Sequence, residues 1–292
     1  MSSLRYSNAP SNPSRALSRA DRVSLMDALL DRPSPYHLSS AGAGGCAIVF
    51  KAVDTRTGQT FALKAPYKKD DQIGIDTLRK EADALRKLDH PNIIGYRGHM
   101  LGGDASFVAI DYVPGRTLDA LFYDLTIEQY AKILQQVADA AAHCHLMGIV
   151  HRDIKPDNII VGSDLKLIDF GLSRGINQTP DFVSGTPEYM DPQRVDLARS
   201  SPHDDVYALG MMLFERCGGR KLVVRSVSPN PSLSDIAAFH ASIPLAMDST
   251  NLFGESVPSD LVYAASLARH PDPSLRLSSA SEFAELLSVF SR

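Results

Sequence analysis

At about Gly115 the repeat of apolar residues changes, and this change limits the possible folds more than any other feature of the chain. From Tyr36 to about Val113 the apolar runs are short and β-like. "AIVFKAV" and "TFALKAP" flank the turn signal "DTRTG", and "FVAIDYV" reads as a further strand. One helix interrupts them: "DTLRKEADALRKL" sets Leu78, Ala82, Leu85 and Leu88 on a shared face. After Gly115 the pattern turns mostly helical, as in "IEQYAKILQQVADAAAHCHLM", broken by the short apolar runs "NIIV" and "LKLIDF". The expectation is an α+β fold with a small β-rich part over 36–113 and a larger α-rich part over 114–292. A chain of 292 residues is long enough to bury a core in each.

Residues 1–35 stand ahead of both as an extension. "MSSLRYSNAPSNPSR" is rich in Ser, Asn and Pro, has no acidic residue, and predicts disorder over 1–15. The same composition fits a transit peptide or an export signal, so delivery into another compartment or a host cell stands beside a cytoplasmic location. "ALSRADRVSLMDALLD", 16–31, places Val23, Met26 and Leu30 at helical spacing, with Ser18 and Asp21 as caps and Pro33 as the stop. That helix either packs on the main domain or serves as a docking segment.

Three scattered cysteines without CxxC spacing argue against a zinc site or a disulfide framework, and fit a reducing compartment. A formal net charge of −4 argues against a general nucleic-acid binder. No apolar run approaches the roughly 18 residues of a membrane span. Oligomeric state is not legible.

Three glycines in "SAGAGGCAIVFKAVD", 40–54, precede an apolar run. Such a loop brings backbone N–H groups close to a phosphate. It also makes a flexible turn, and the stretch alone leaves both readings open. The stretches that resolve this lie further on. "HRDIKPDN" at 151–158 and "DFG" at 169–171 follow "GAGGCA" at 42–47 and "FALK" at 61–64, and precede "GTPEYMDPQ" at 185–193 and "DDVYALG" at 204–210. In this order and spacing they resemble the eukaryotic-type (Hanks-type) protein serine/threonine kinase family, over about residues 36–290.

The resemblance implies the two-lobed protein kinase fold, with an N-lobe over 36–113 and a C-lobe over 114–292. It implies ATP and Mg²⁺ as cofactors, and transfer of the γ-phosphoryl group to Ser and Thr hydroxyls of protein substrates, including autophosphorylation. Gly42 and Gly44 match the nucleotide loop, with Ala47 in place of its last glycine. Lys64 matches the phosphate-contacting lysine, and Glu81 the acid that pairs with it. Asp153 matches the catalytic base, and Lys155 the cation beside the transferred group. Asn158 and Asp169 match the Mg²⁺ ligands. Ala41, Val49, Ala62 and Ile160 match the positions that enclose the adenine ring, and Ile110 the gatekeeper. The backbones of Asp111 and Val113 match those that bond the adenine edge. His151 and Phe170 match packing residues.

Thr186 with Lys155 resembles the Ser/Thr-directed branch. Asp205 matches the aspartate that anchors the catalytic loop. Arg152 implies control by a phosphate in the activation segment, at Thr179 or Ser184. Gln193 stands where the family has a glutamate that pairs with a late arginine, here Arg276, so a weakened pair between Gln193 and Arg276 is expected. Cys46 falls at the glycine-loop tip, where oxidation is a further reading. A kinase-like scaffold and a small-molecule kinase are the alternatives. A scaffold would be expected to have lost Lys64, Asp153 or Asp169, and a small-molecule kinase to lack "GTPEYMDP".

Overall fold

The computed structural model describes residues 5–6, 25–29, 32–43, 47–68, 70–102, 105–179, 184–193, 199–222, 232–244 and 250–290. The chain divides into two compact units, 1–114 and 115–292.

The first unit is built on a six-stranded antiparallel sheet. Its strands are β1 (Arg5–Tyr6), β2 (Tyr36–Ala43), β3 (Ile48–Asp54), β4 (Thr60–Ala65), β5 (Tyr96–Leu101) and β6 (Phe107–Asp111). They lie in the order β1-β5-β6-β4-β3-β2. In β4 the two-residue alternation sends Phe61 and Leu63 to one face and Ala62 and Lys64 to the other. The Lys64 face meets α2 (Gln72–Leu85), which buries Leu78, Glu81, Ala82 and Leu85. Asp71 caps α2 by accepting the Gly74 N–H.

The opposite face is covered from the extension. A helical segment α1, described over 25–29, places Leu25 at 0% exposure in one apolar cluster with Tyr36, Phe61, Leu63, Met100 and Phe107. Met26 and Leu29 pack at its margin. The buried face therefore centres on Leu25, which the expected set of Val23, Met26 and Leu30 omits; Val23 and Leu30 lie outside the described residues. Residues 5–6 depart from the expected disorder over 1–15. Arg5 pairs with Leu101 and Tyr6 with Met100. The open edge of β5 offers unpaired backbone groups, and those suffice to bind a short strand whatever its side chains.

The second unit is mainly helical. Its helices are α3 (Ile127–Leu146), α4 (Pro202–Gly218), α5 (Leu233–Ser242), α6 (Ser259–Ala268) and α7 (Ala280–Leu287). A reciprocal capping box of Thr126 and Gln129 starts α3. Ser201 caps α4, Pro202 opens it, and Gly219 closes it at φ 74°. Almost every residue of α4 is buried, which marks a central helix and not an amphipathic surface one. It packs against α3 and α6. At Gly210 a Cβ would sit 2.7 Å from the Ala268 Cβ, so only glycine allows this close approach of α4 and α6.

Beside the helices, β7 (Gly115–Thr117), β9 (Ile159–Gly162) and β10 (Leu165–Leu167) form one small sheet. The pair β8 (Ile149–Val150) and β11 (Arg174–Gly175) forms another. Both flank the loop that carries "HRDIKPDN".

Leu25 gives a direct test of whether the extension belongs to the core of the first unit. Leu25→Ala should destabilise the protein by about 2–5 kcal/mol, the cost of truncating a fully buried leucine. Thermal melts of the two forms measure it, and the midpoint should fall by several degrees.

Candidate active site

In the first unit the Lys64 Nζ donates to Glu81 Oε1 at 2.8 Å. The pair is largely removed from water, with side-chain exposures of 11% and 1%. A buried cation and anion are expensive singly and stable together, so each fixes the other's place. Ala62 is buried next to Lys64 on β4, opposite Ile110 on β6. Val49 pairs with Gly42 where β2 and β3 shift register, and Ala41 is the residue the shift leaves unpaired. Gly44 and Cys46 lie outside the described residues. Asp111 ends β6; its side chain engages Arg97 and its backbone N–H donates to Gly95 O at 2.8 Å. Val113 follows in irregular chain.

In the second unit the loop after β8 assembles around Asp205, which has no exposed surface. Its Oδ2 accepts the His151 N–H at 2.9 Å, and its Oδ1 the Arg152 N–H at 2.7 Å. His145 Nε2 lies 2.8 Å from Oδ2. Burial pushes this carboxyl up, but the His145 hydrogen bond, the adjoining imidazoles of His145 and His151, and the Arg152 N–H outweigh it and hold the group below the usual range. His151 donates from Nε2 to Ile168 O at 3.1 Å and accepts the Asp153 N–H on Nδ1 at 3.3 Å. Its ring meets Phe170 edge-on, with centroids 4.6 Å apart. Both ring nitrogens are thus engaged with the backbone, which suits a packing residue and leaves no nitrogen for proton transfer.

The Asp153 carboxylate is held from several sides. Thr186 donates to Oδ1 from its N–H at 3.0 Å and from its hydroxyl at 2.9 Å. Asn158 Nδ2 donates to Oδ2 at 3.0 Å and to the Asp153 carbonyl at 2.8 Å. Lys155 Nζ stands 3.0 Å from Oδ2 and donates to the Thr186 hydroxyl at 2.7 Å. Asp153, Lys155, Asn158 and Thr186 therefore form one connected group. Asp169 follows β10 at φ 67°, a left-handed conformation uncommon for aspartate and often found where function demands it. Ile160 lies in β9.

Among the described residues no cluster of three or more His, Cys, Asp or Glu side chains forms a metal-ligand set. Magnesium needs less, since it is commonly held by one or two protein carboxylates with water and phosphate oxygens. The Asn158 amide spends its Nδ2 on Asp153, which leaves its Oδ1 as an oxygen donor. With the Asp169 carboxylate this is a hard-oxygen donor set, and the residues fit Mg²⁺.

The expected pairing of Gln193 with Arg276 does not form. Arg276 makes a bidentate ion pair with Asp191, and the side chains are 0% and 4% exposed. Gln193 is exposed; its amide donates to Pro271 O at 3.1 Å, and its backbone N–H to Asp191 Oδ1 at 3.0 Å. The carboxylate sought at position 193 is supplied two residues earlier. The only signal for it was an acidic residue in "YMDPQ", and the motif comparison weighs position 193 alone. A second buried acid was also missed. Glu215 accepts the Tyr189 hydroxyl at 2.7 Å and the Leu222 N–H at 2.6 Å, tying the turn after Thr186 to α4.

The protein kinase domain family model matches residues 36–287. Curated proteins similar to the chain include Serine/threonine-protein kinase PrkC of Bacillus subtilis, 33% identical over 61% of this chain and 29% of that protein. Probable serine/threonine-protein kinase PknB of Bifidobacterium longum is 31% identical over 83% of this chain and 37% of that protein. Serine/threonine-protein kinase pakA of Dictyostelium discoideum is 32% identical over 71% of this chain and 18% of that protein. The matched stretch spans less than two fifths of each of these relatives. No helix among the described residues is long and apolar enough to cross a membrane.

Two measurements check the buried acids. Asp191→Asn should cost about 3–5 kcal/mol, because the Arg276 charge is left alone in the interior, while Gln193→Glu should shift the melting midpoint little. Burial pushes the Glu215 carboxyl up to about 7, against the lowering pull of the Leu222 N–H and the Tyr189 hydroxyl. An unfolded glutamate titrates near 4.5. The folded chain therefore keeps this proton at pH values where the unfolded chain has lost it. The stabilisation is full below about pH 4.5, declines as pH rises toward 7, and is gone above it, about 3 kcal/mol in all. Glu215→Gln, compared with the parent in melts from pH 5 to pH 8, should remove that part of the slope.

Proposed function

Because the chain belongs to the protein kinase family, we propose that it is an ATP-dependent protein serine/threonine kinase, transferring the γ-phosphoryl group of ATP to Ser and Thr hydroxyls of proteins. The observation that carries this reading is the Asp153 carboxylate, held at once by Asn158, Lys155 and Thr186. Phosphoryl transfer needs its reactants aligned and its negative charge neutralised more than it needs covalent help.

In this reading Asp153 orients the acceptor hydroxyl and takes its proton. The fixed partners on both oxygens keep the carboxylate from turning away, so its direction is set before substrate arrives. Lys155 places a cation beside the group in transfer, and its bond to the Thr186 hydroxyl aims it. Asn158 and Asp169 would hold Mg²⁺, which supplies charge neutralisation on the phosphate oxygens. Lys64 contacts the α and β phosphates, kept in place by Glu81. We assign nucleotide contacts to Ala41, Gly42, Gly44, Val49 and Ala62 and to the backbones of Asp111 and Val113 in the first unit, and to Ile160 in the second.

The test is transfer of phosphate from ATP and Mg²⁺ to a generic basic protein and to the chain itself, with the products resolved as phosphoserine, phosphothreonine or neither. Asp153→Asn should lower the rate by about 10²- to 10⁴-fold, the usual worth of a positioned base. Lys64→Met should likewise remove most of it. Variants that transfer phosphate as fast as the parent would show the assignment to be wrong.

A further inference from the structure

We propose that Asp204 is a positioning residue for this reaction: its carboxylate is a built-in counter-ion for Arg152, so the catalytic loop takes its working form without a phosphate on the activation segment. The inference rests on the proposed kinase activity and adds a statement about its regulation.

Arg152 lies between His151 and Asp153, and its side chain is 1% exposed. A guanidinium in that position needs an anion close by, since an uncompensated buried charge is strongly destabilising. Asp204 is there. Its Oδ2 stands 3.9 Å from Arg152 Nε, and its side chain is 5% exposed. That separation exceeds a hydrogen bond, so the two act on one another by charge, which a dry surrounding makes effective. Both are fixed by their backbones. Arg152 has φ 71°, and its N–H is committed to Asp205. Asp204 sits in the first turn of α4, where the helix dipole favours an acid.

The guanidinium also reaches forward. Its Nη1 donates to Leu172 O at 3.4 Å, directly after Asp169–Gly171. Arg152 thereby connects the start of α4, the loop bearing Asp153, and the segment bearing Asp169. Moving Arg152 moves the proposed base and the proposed Mg²⁺ ligand Asp169 against one another, and small misplacements of reacting groups are costly in rate. Thr179, by contrast, is exposed, and Ser184 is half-buried. A phosphate on either would meet an arginine that already faces a carboxylate, and its charge would be opposed by Asp204. Control by such a phosphate, which Arg152 suggests on sequence grounds, is weakened by the residue that begins "DDVYALG".

The experiment compares the parent, Asp204→Asn, Asp204→Glu and the double variant Thr179→Ala, Ser184→Ala, with Asp153→Asn as the inactive reference. The Thr179→Ala, Ser184→Ala form should keep at least half of the parent rate (~2-fold loss or less), since the counter-ion is internal. Asp204→Asn should lose about 10²-fold in kcat with KM for ATP nearly unchanged, and Asp204→Glu should recover part of it. A purely structural role would not separate kcat from KM in this way. If Asp204→Asn does not fold, Arg152→Gln with Asp204→Asn, which leaves no lone buried charge, carries the same expectation for kcat. Melts of the two single variants and this pair form a double-mutant cycle, and the two substitutions should be coupled. Parent-like kcat in Asp204→Asn, loss of activity in Thr179→Ala, Ser184→Ala, or an uncoupled cycle each overturns the inference while leaving the kinase reading intact. A parent no faster than Asp153→Asn overturns the kinase reading, and this inference falls with it.

Discussion

Asp205 is the point on which the second unit's chemistry depends. A carboxylate with no exposed surface sits in the first turn of α4 and accepts two consecutive backbone N–H groups, those of His151 and Arg152. Backbone donors are poor candidates for movement, because displacing them strands a buried charge. The position of Asp153 is therefore fixed from behind, by a side chain that belongs to a different element. The left-handed turn at Arg152 is part of the same arrangement: it lets two neighbouring N–H groups converge on one carboxylate. The stiffness of α4, buried nearly all round, gives that carboxylate its own fixed frame.

Two charges in the chain follow one pattern: each is removed from water together with a partner from a different stretch of chain. Lys64 on β4 is matched by Glu81 on α2, and Arg276 by Asp191. Arg216 near the end of α4 is buried as well, but its partner Glu255, in the turn that the Thr250–Ser256 bridge closes, is 36% exposed and stays partly in water. Such pairs add little net stability over apolar contacts, but a wrong arrangement would leave a lone buried charge. They act mainly by excluding alternatives, and in each unit they lie where two elements must keep register.

Legibility from sequence followed locality. Strands β3, β4 and β6 and helices α2 and α3 could be placed from periodicity, because each carries its pattern within one short window. That Asp153, Lys155 and Asn158 would stand together was legible, because their spacing is short and their residue types unusual together. Leu25 was not, since the face of a short helix is decided by what it lands on, and its partners Met100 and Phe107 are far along the chain. The strand at 5–6 was invisible for a stronger reason: the open edge of β5 selects it by backbone, not by side chain. Asp191 was overlooked because a motif fixes attention on one position, whereas an ion pair needs only a carboxylate within reach of the guanidinium.

The cluster around Leu25 also sets a schedule. On a ribosome α1 emerges long before β5 and β6, and Ala109 closes its cluster. At about 5–20 residues per second the helix waits roughly 4–17 s for the last of those partners. Tyr36, Ala52, Phe61 and Leu63 emerge within that interval, but the surface around Leu25 stays incompletely covered until Met100, Phe107 and Ala109 follow. Whatever meets the nascent chain first competes with β5 and β6 for Leu25. Full burial of Leu25 therefore waits on the synthesis of residues 30–109, and slower translation over that stretch lengthens the wait.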